Sequence, residues 1–278
     1  MAGIAVLALF AMAGSNAVVL QPVANMYSRA SVDADVVSQA IYGANVGVLE
    51  EKDGWAHIRT ADAYTGWTPL SSLIEAKPYA EGGNAVEVES LFAHVYREAS
   101  VTRHAPLLTI PFESKLEVAA EPQGESRWFQ VRLPDDRAGW VQAGDVSRHP
   151  KKLTIPEMLE FSRRFLGLPY TWGGTSSFGY DCSGFSQMLQ RRRGILMPRD
   201  AQPQAEWDGV KAVERREELQ PGDLLYFGSS PKKITHTGVY LGDGKFINAT
   251  THETPMVRID DLNDSNWTKV LVAMRRVK

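Results

Sequence analysis

One stretch of sequence is written twice in the first half of this chain, and the repetition limits what that half can fold into. Met26-Tyr27-Ser28-Arg29-Ala30-Ser31-Val32 returns as Val95-Tyr96-Arg97-Glu98-Ala99-Ser100-Val101. Trp55 followed by Gly66-Trp67 returns, at the same spacing, as Trp128 followed by Gly139-Trp140. A period of roughly 60–70 residues, filled by short alternating runs between Gly, Asp and Pro turns, suits a small β-barrel made twice. Trp67 and Trp140 are expected in the cores of the two barrels. Lys77-Pro78-Tyr79-Ala80-Glu81-Gly82-Gly83 and Arg148-His149-Pro150-Lys151-Lys152 read as linkers. The expected units are therefore 18–80, 84–149 and 153–278.

Ahead of the first unit, Gly3 to Ala13 is wholly apolar and Gly14-Ser15-Asn16-Ala17 offers small residues where a signal peptidase cuts. The expectation is a secretory leader over 1–17, with Val18 opening an extracytoplasmic chain. A short N-terminal anchor and a buried first strand are the other readings, and without a leader the chain would be cytoplasmic. No other run is long and apolar enough to span a membrane, so no stable insertion is expected once the leader is gone. Hydrophobic residues at 44% and charged residues at 23% exclude a disordered or fibrous chain. A net charge of −3 gives no sign of nucleic-acid binding. Arg191-Arg192-Arg193 is expected to cap a helix C-terminus. The sequence says nothing of oligomeric state.

The rest of the chain, from residue 153 on, carries the chemistry. Cys182 is the only cysteine in 278 residues, which excludes an intramolecular disulfide framework. After it Phe185, Met188 and Leu189 recur at helical spacing until the arginines and Gly194. Cys182 thus falls in the first turn of a helix, where unpaired N–H groups and the helix dipole favour a thiolate. A small buried hydrophobe is the alternative for a lone cysteine. The histidines have no ligand-like spacing with one another or with Cys182, so no metal and no cofactor are expected.

A thiol nucleophile needs a base and a group to orient that base. Ile234-Thr235-His236-Thr237-Gly238-Val239-Tyr240-Leu241 and Lys245-Phe246-Ile247-Asn248-Ala249 read as a hairpin about Gly242-Asp243-Gly244. A three-residue turn sets Gly238 opposite Asn248 and puts His236 and Asn248 on one face as diagonal neighbours. A two-residue Asp243-Gly244 turn would put Asn248 on the other face. The longer turn is expected, giving a Cys–His–Asn set in which Asn248 holds the tautomer of His236.

These residues bring the segment from about Leu153 to Lys278 close to a known family. Tyr170-Thr171-Trp172-Gly173-Gly174, Asp181-Cys182-Ser183-Gly184-Phe185, Pro198-Arg199-Asp200 with Gln204, Leu219-Gln220-Pro221-Gly222-Asp223-Leu224 and His236-Thr237-Gly238-Val239-Tyr240-Leu241-Gly242 occur in order. The segment resembles the NlpC/p60-type cell-wall cysteine peptidases, and the repeats ahead of it resemble bacterial SH3-like domains. The resemblance implies a multidomain chain, two small all-β SH3-like barrels followed by a papain-like α+β peptidase domain. It implies Cys182 as nucleophile, His236 as base and then acid, and Asn248 where many members carry histidine. The domain order resembles that of γ-D-glutamyl-L-diamino-acid endopeptidases of peptidoglycan recycling, whose first SH3-like domain leans over the site to recognise a muropeptide with a free N-terminal L-alanine.

That resemblance carries over to Tyr64, Asp181 and Ser183 as the groups that receive the ammonium, with Trp172 and Asp200 lining the same pocket. Asp181 serves equally well as a helix N-cap. The glutamate expected early in the first barrel has no counterpart, since Ser28-Arg29 stands there. Alternative functions are an intact-wall D,L-endopeptidase, an N-acetylmuramoyl-L-alanine amidase, or a non-catalytic wall-binding protein.

Overall fold

The computed structural model describes residues 15–75 and 78–278. The first unit has seven strands, β1 (Ser15–Val19), β2 (Val23–Tyr27), β3 (Val36–Ile41), β4 (Asn45–Lys52), β5 (Trp55–Arg59), β6 (Thr65–Pro69) and β7 (Leu73–Glu75). They form one sheet in the order β3-β2-β6-β5-β4-β1-β7, around Met26, Val46, Ala56 and Ile58. Residues 1–14 of the expected leader lie outside the described residues. Residues 15–17 pair with β4, Ala17 opposite Val46.

The second unit repeats the plan with β8 (Ala85–Val88), β9 (Phe92–Val95), β10 (Leu108–Pro111), β11 (Lys115–Ala120), β12 (Trp128–Arg132), β13 (Ala138–Gln142) and β14 (Val146–Ser147). Five of these form a sheet ordered β13-β12-β11-β8-β14, and β9 pairs with β10. A bridge between Tyr96 and Trp140 ties the two together.

The expected core tryptophans are a correction. Side chains alternate along a strand, and in β6 it is Gly66 and Thr68 that are buried, leaving Trp67 half-buried on the outer face. A Cβ at Gly66 would lie 2.9 Å from Met26 Cβ, and one at Gly139 would lie 2.6 Å from Val95. The inward member of each Gly-Trp pair is the glycine, because a crossing strand leaves it no room. Trp67 instead stacks on His57, its cross-strand partner, with centroids 5.0 Å apart. On the same pattern Tyr27 meets Trp55 edge-on at 5.5 Å and Tyr96 meets Trp128 edge-on at 5.5 Å.

The units interlock. Tyr42 of the first unit is buried in the core of the second. The first linker is packed: Tyr79 donates its hydroxyl to the Arg132 carbonyl at 2.6 Å and takes the Glu117 N–H at 3.1 Å. Phe112 of the second unit is buried in the core of the third, against Phe161 and Phe165.

The third unit places helices against an antiparallel sheet. Its helices are α1 (Ile155–Ser162), α2 (Cys182–Arg192), α3 (Ala201–Glu206) and α4 (Ser265–Thr268). A short hairpin pairs β15 (Thr175–Ser176) with β16 (Gly179–Tyr180). The main sheet contains β17 (Val210–Ala212), β18 (Leu224–Ser230), β19 (Lys233–Gly242), β20 (Lys245–Thr250), β21 (Met256–Asp261) and β22 (Leu271–Val277), ordered β17-β22-β18-β19-β20-β21. Phe185, Met188 and Leu189 of α2 pack on Leu224, Tyr226, Val239 and Ile247. Leu225, Phe227 and Phe246 face the other way and are covered by Trp267 of α4.

The basic end of α2 does more than complement a helix dipole. Arg191 forks onto Glu113 with Nη2–Oε2 at 2.6 Å. Buried Arg192 reaches Glu87 at 3.0 Å and Glu89 at 2.7 Å. All three carboxylates belong to the second unit, so these arginines bolt that unit to the base of the helix that begins at Cys182. Among the described residues, no helix is long and apolar enough to cross a membrane.

Candidate active site

The site begins with the turn between β19 and β20. Asp243 and Gly244 both have positive φ, at 50° and 72°, a two-residue turn of the kind hairpins favour. Alone it would have put Asn248 on the wrong face. Between Tyr240, paired with Phe246, and Gly242, paired with Lys245, Leu241 is an extra residue, and this bulge restores the parity. The expected three-residue turn is thus a two-residue turn plus a bulge, with the same result. The Nε2–H of His236 donates to Asn248 Oδ1 at 2.8 Å.

Behind this pair lie residues that the sequence reading missed. Asn248 is fully buried, and its amino group donates to Asp260 Oδ2 at 2.9 Å. Asp260 is in turn paired with Arg258 at 2.8 Å. Trp267 stacks on the imidazole with centroids 5.1 Å apart and planes at 26°. An aspartate in the strand run Val257-Arg258-Ile259-Asp260 was the available signal, but its face is known only once the hairpin parity is.

Cys182 opens α2, with Asp181 as N-cap accepting the Gly184 N–H at 2.7 Å. The helix packs on β19, and the sulfur lies against the backbone of Thr237, the residue after His236. Two influences compete on the thiol at this helix start. Burial, with the Asp181 carboxylate next to it, pushes the thiol up to about 12, while backbone groups of Thr237 and Ser183 and the Arg199 charge oppose that rise. Burial also pushes His236 down to about 4, against the hydrogen bond to Asn248 and the charge of Asp260. Burial thus works against the charged form of both groups, the thiolate and the imidazolium. With Nε2 protonated, Nδ1 carries the lone pair.

Of the expected substrate-binding residues, the structure joins four. Tyr64 donates its hydroxyl to Asp200 Oδ2 at 3.0 Å, from the first unit to the third. Burial and the adjoining carboxylate raise the phenol to about 12, so it stays a donor. Asp181 is less available than expected. Arg199, itself 2% exposed, binds it bidentately at 2.6 and 3.0 Å and also donates to Ser183 Oγ at 2.9 Å. The Asp181 carboxylate is therefore already neutralised, and removing a substrate ammonium would not leave it unpaired. Asp200 holds only the neutral phenol among its side-chain partners, and burial raises its pKa.

Tyr64 and Asp200 line a cavity of about 340 Å³ together with Asp62, Arg199, Pro203 and Trp207. Trp172 is 70% exposed and is not among the residues that line that cavity. The chain turns at Gly173 with φ 72°, where a Cβ would lie 2.8 Å from Val36 Cγ1, so the loop passes the first unit too closely for any side chain. Further contacts hold the first unit in place. Gln187 donates to Asp62 at 2.9 Å, Arg199 to Ser38 at 3.2 Å, and the Thr175 N–H to Gln39 at 3.1 Å.

Comparison with known proteins agrees with this arrangement. Residues 167–276 match the NlpC/P60 family, and residues 26–73 match the bacterial dipeptidyl-peptidase Sh3 domain. The chain is 31% identical over 256 residues to a γ-D-glutamyl-L-lysine dipeptidyl-peptidase of Bacillus cereus, covering 86% of this chain and 74% of that one. A protein of the same description from Bacillus subtilis is 29% identical, over 88% and 82% of the two chains. The crystal structure of an NlpC/P60 family protein from Bacillus cereus superimposes with a TM-score of 0.80 at 26% identity, over 95% of this chain and 99% of the other. The chain belongs to the NlpC/P60 family of cysteine peptidases, and it carries a bacterial SH3 domain ahead of the peptidase domain.

Proposed function

We propose that this peptidase hydrolyses the γ-D-glutamyl–diamino-acid amide of peptidoglycan-derived peptides and requires a free N-terminal L-alanine. The observation that carries the reading is the Tyr64–Asp200 hydrogen bond. It joins a residue of another unit to Asp200 beside a cavity of about 340 Å³, and in this reading the Asp200 carboxylate receives the cationic end group of the substrate. The relatives described as γ-D-glutamyl-L-lysine dipeptidyl-peptidases support the bond class. Both β units are SH3-like in this reading, supported by the edge-on Tyr–Trp pair at 5.5 Å in each. The third unit is papain-like, and the substrate implies work outside the cytoplasm.

Cys182 Sγ attacks the amide carbonyl as His236 Nδ1 takes the thiol proton. The Cys182 N–H at the helix start faces the developing oxyanion. His236 gives its proton to the leaving amine, then takes one from water to release the acyl group. Asn248 holds the ring throughout. The test compares kcat/KM for L-Ala-γ-D-Glu-diaminopimelate, its N-acetylated form and intact sacculi, with Cys182→Ala as the inactive reference. Blocking the amine is expected to cost roughly 10- to 100-fold, the range for a lost hydrogen bond to a charged group. Comparable rates on blocked peptide or sacculi would move the protein to wall remodelling, and turnover by Cys182→Ala would remove the thiol mechanism.

A further inference from the structure

An asparagine is an ambiguous partner for a catalytic histidine, because its two ends are opposite in kind. With the carbonyl toward the ring, imidazole Nε2 must carry the proton and Nδ1 is left basic. With the amino group toward the ring, Nε2 must accept, the proton moves to Nδ1, and the base is lost. Nothing in Asn248 itself chooses between these.

The choice is made on the far side of the carboxamide. Asn248 and Arg258 are register partners across β20 and β21, as are Phe246 and Asp260. One end of Asn248 therefore faces Asp260 Oδ2 at 2.9 Å and the Arg258 carbonyl at 3.3 Å. A carbonyl only accepts, and so does an ionised carboxylate. The Arg258 guanidinium donates to Asp260 Oδ1 at 2.8 Å, so the other carboxylate oxygen, Oδ2, is the acceptor turned to Asn248. A flipped amide would set its oxygen against two acceptors in a site where Asn248 is fully buried and Asp260 is 6% exposed. Uncompensated contacts of that kind are costly.

We infer that Asp260 is a positioning residue of this active site: through the buried Asn248 carboxamide it fixes which nitrogen of His236 carries the proton. The inference rests on the Cys182–His236–Asn248 reading above. It makes the set a line of four, in which the last member touches neither substrate nor sulfur. Trp267, stacked on the ring, fixes the plane of the imidazole, whereas Asp260 fixes its proton.

The test is Asp260→Asn, which keeps the shape but lets the residue face either way. It should lower kcat about tenfold or more, with KM within about twofold, because only the fraction of enzyme with a basic Nδ1 turns over. A purely structural role would not move the tautomer, which long-range 15N–1H spectra of His236 read directly. Wild-type enzyme at neutral pH should show Nε2–H alone, and Asp260→Asn a mixture. Unchanged kcat with a single Nε2–H form in Asp260→Asn would overturn the inference. So would an Nδ1–H form in the wild type, a measurement that needs no variant to fold. Asn248→Ala separates this failure from that of the underlying reading. If Asn248→Ala keeps full kcat, the Cys–His–Asn set falls and this inference with it. If it loses activity, adding Asp260→Asn should cost nothing more, and a further loss would overturn the positioning role alone.

Discussion

The two β units share a sequence pattern, an inward glycine and an edge-on Tyr–Trp pair, yet they meet the peptidase domain in opposite ways. The first offers side chains to the cleft: Tyr64 to Asp200, Asp62 to Gln187, Ser38 to Arg199. The second grips the other end of α2 through Glu113, Glu87 and Glu89 and supplies Phe112 to the core. One helix is thus held by the first unit through Gln187 and by the second through Arg191 and Arg192 at its base. Repetition of a fold does not repeat its role, because role is set by which loops reach the neighbour.

The largest expected difference lies in activity. Tyr64→Phe in the first unit removes the hydroxyl from Asp200 and should lower kcat/KM on the free-amino peptide roughly 10- to 100-fold, as for a hydrogen bond to a charged group. Glu113→Gln in the second unit should leave kcat/KM within about twofold but lower the melting temperature by several degrees, at about 2–4 °C per kcal/mol. Steady-state kinetics and thermal melts on both variants decide it. A catalytic defect in Glu113→Gln as large as that of Tyr64→Phe would erase the distinction between the two units.

A smaller effect separates the units by pH. Burial pushes Glu87 up to about 7, with Glu113 adding to the rise. The folded protein holds a proton there that the unfolded chain releases, so this contribution is full below the ordinary glutamate range and is lost as pH rises toward 7. His236 runs the other way. Its pKa is depressed, so stability is lost as pH falls from about 6.5 toward 4. Glu87→Gln should raise the melting temperature at pH 8 relative to wild type and leave it unchanged at pH 4. Parallel melting curves across that range would show that Glu87 does not titrate in the fold.

The smallest effect tests what the units share. In each, Gly66→Ala or Gly139→Ala should cost about 1–3 kcal/mol by overpacking against Met26 or Val95. Trp67→Phe or Trp140→Phe should cost under about 1 kcal/mol, since the rings lie on the outer face. Urea unfolding of the four variants measures both. A tryptophan cost exceeding the glycine cost would return Trp67 and Trp140 to the core.

Much of this was legible in the sequence, and the parts that were not share a cause. The repeat, the helix at Cys182 and the His236–Asn248 pair rest on local spacing, which a chain displays openly. The bulge at Leu241 was not legible, because Gly242-Asp243-Gly244 suits both turn lengths. Arg199 occurs in a recognisable run, but that it neutralises Asp181 depends on contacts across 18 positions of sequence. Asp260 depends on a strand two hairpins beyond His236. The Gly-Trp motif misled because the larger residue draws attention, while the close crossing is made at the smaller one.

Tyr42 and Phe112 have a consequence for ancestry. Each is a plug from one unit seated in the interior of the next. A chain of beads on flexible string can exchange beads freely, but here a transplanted barrel would leave an empty socket in its neighbour and carry an orphaned ring into solvent. Recombination that moved one unit alone would have to bring the matching plug or refill the hole. Inheritance of the three units is thereby pushed toward all or nothing, so the order of domains along such a chain should descend as a block even where most surface residues have drifted.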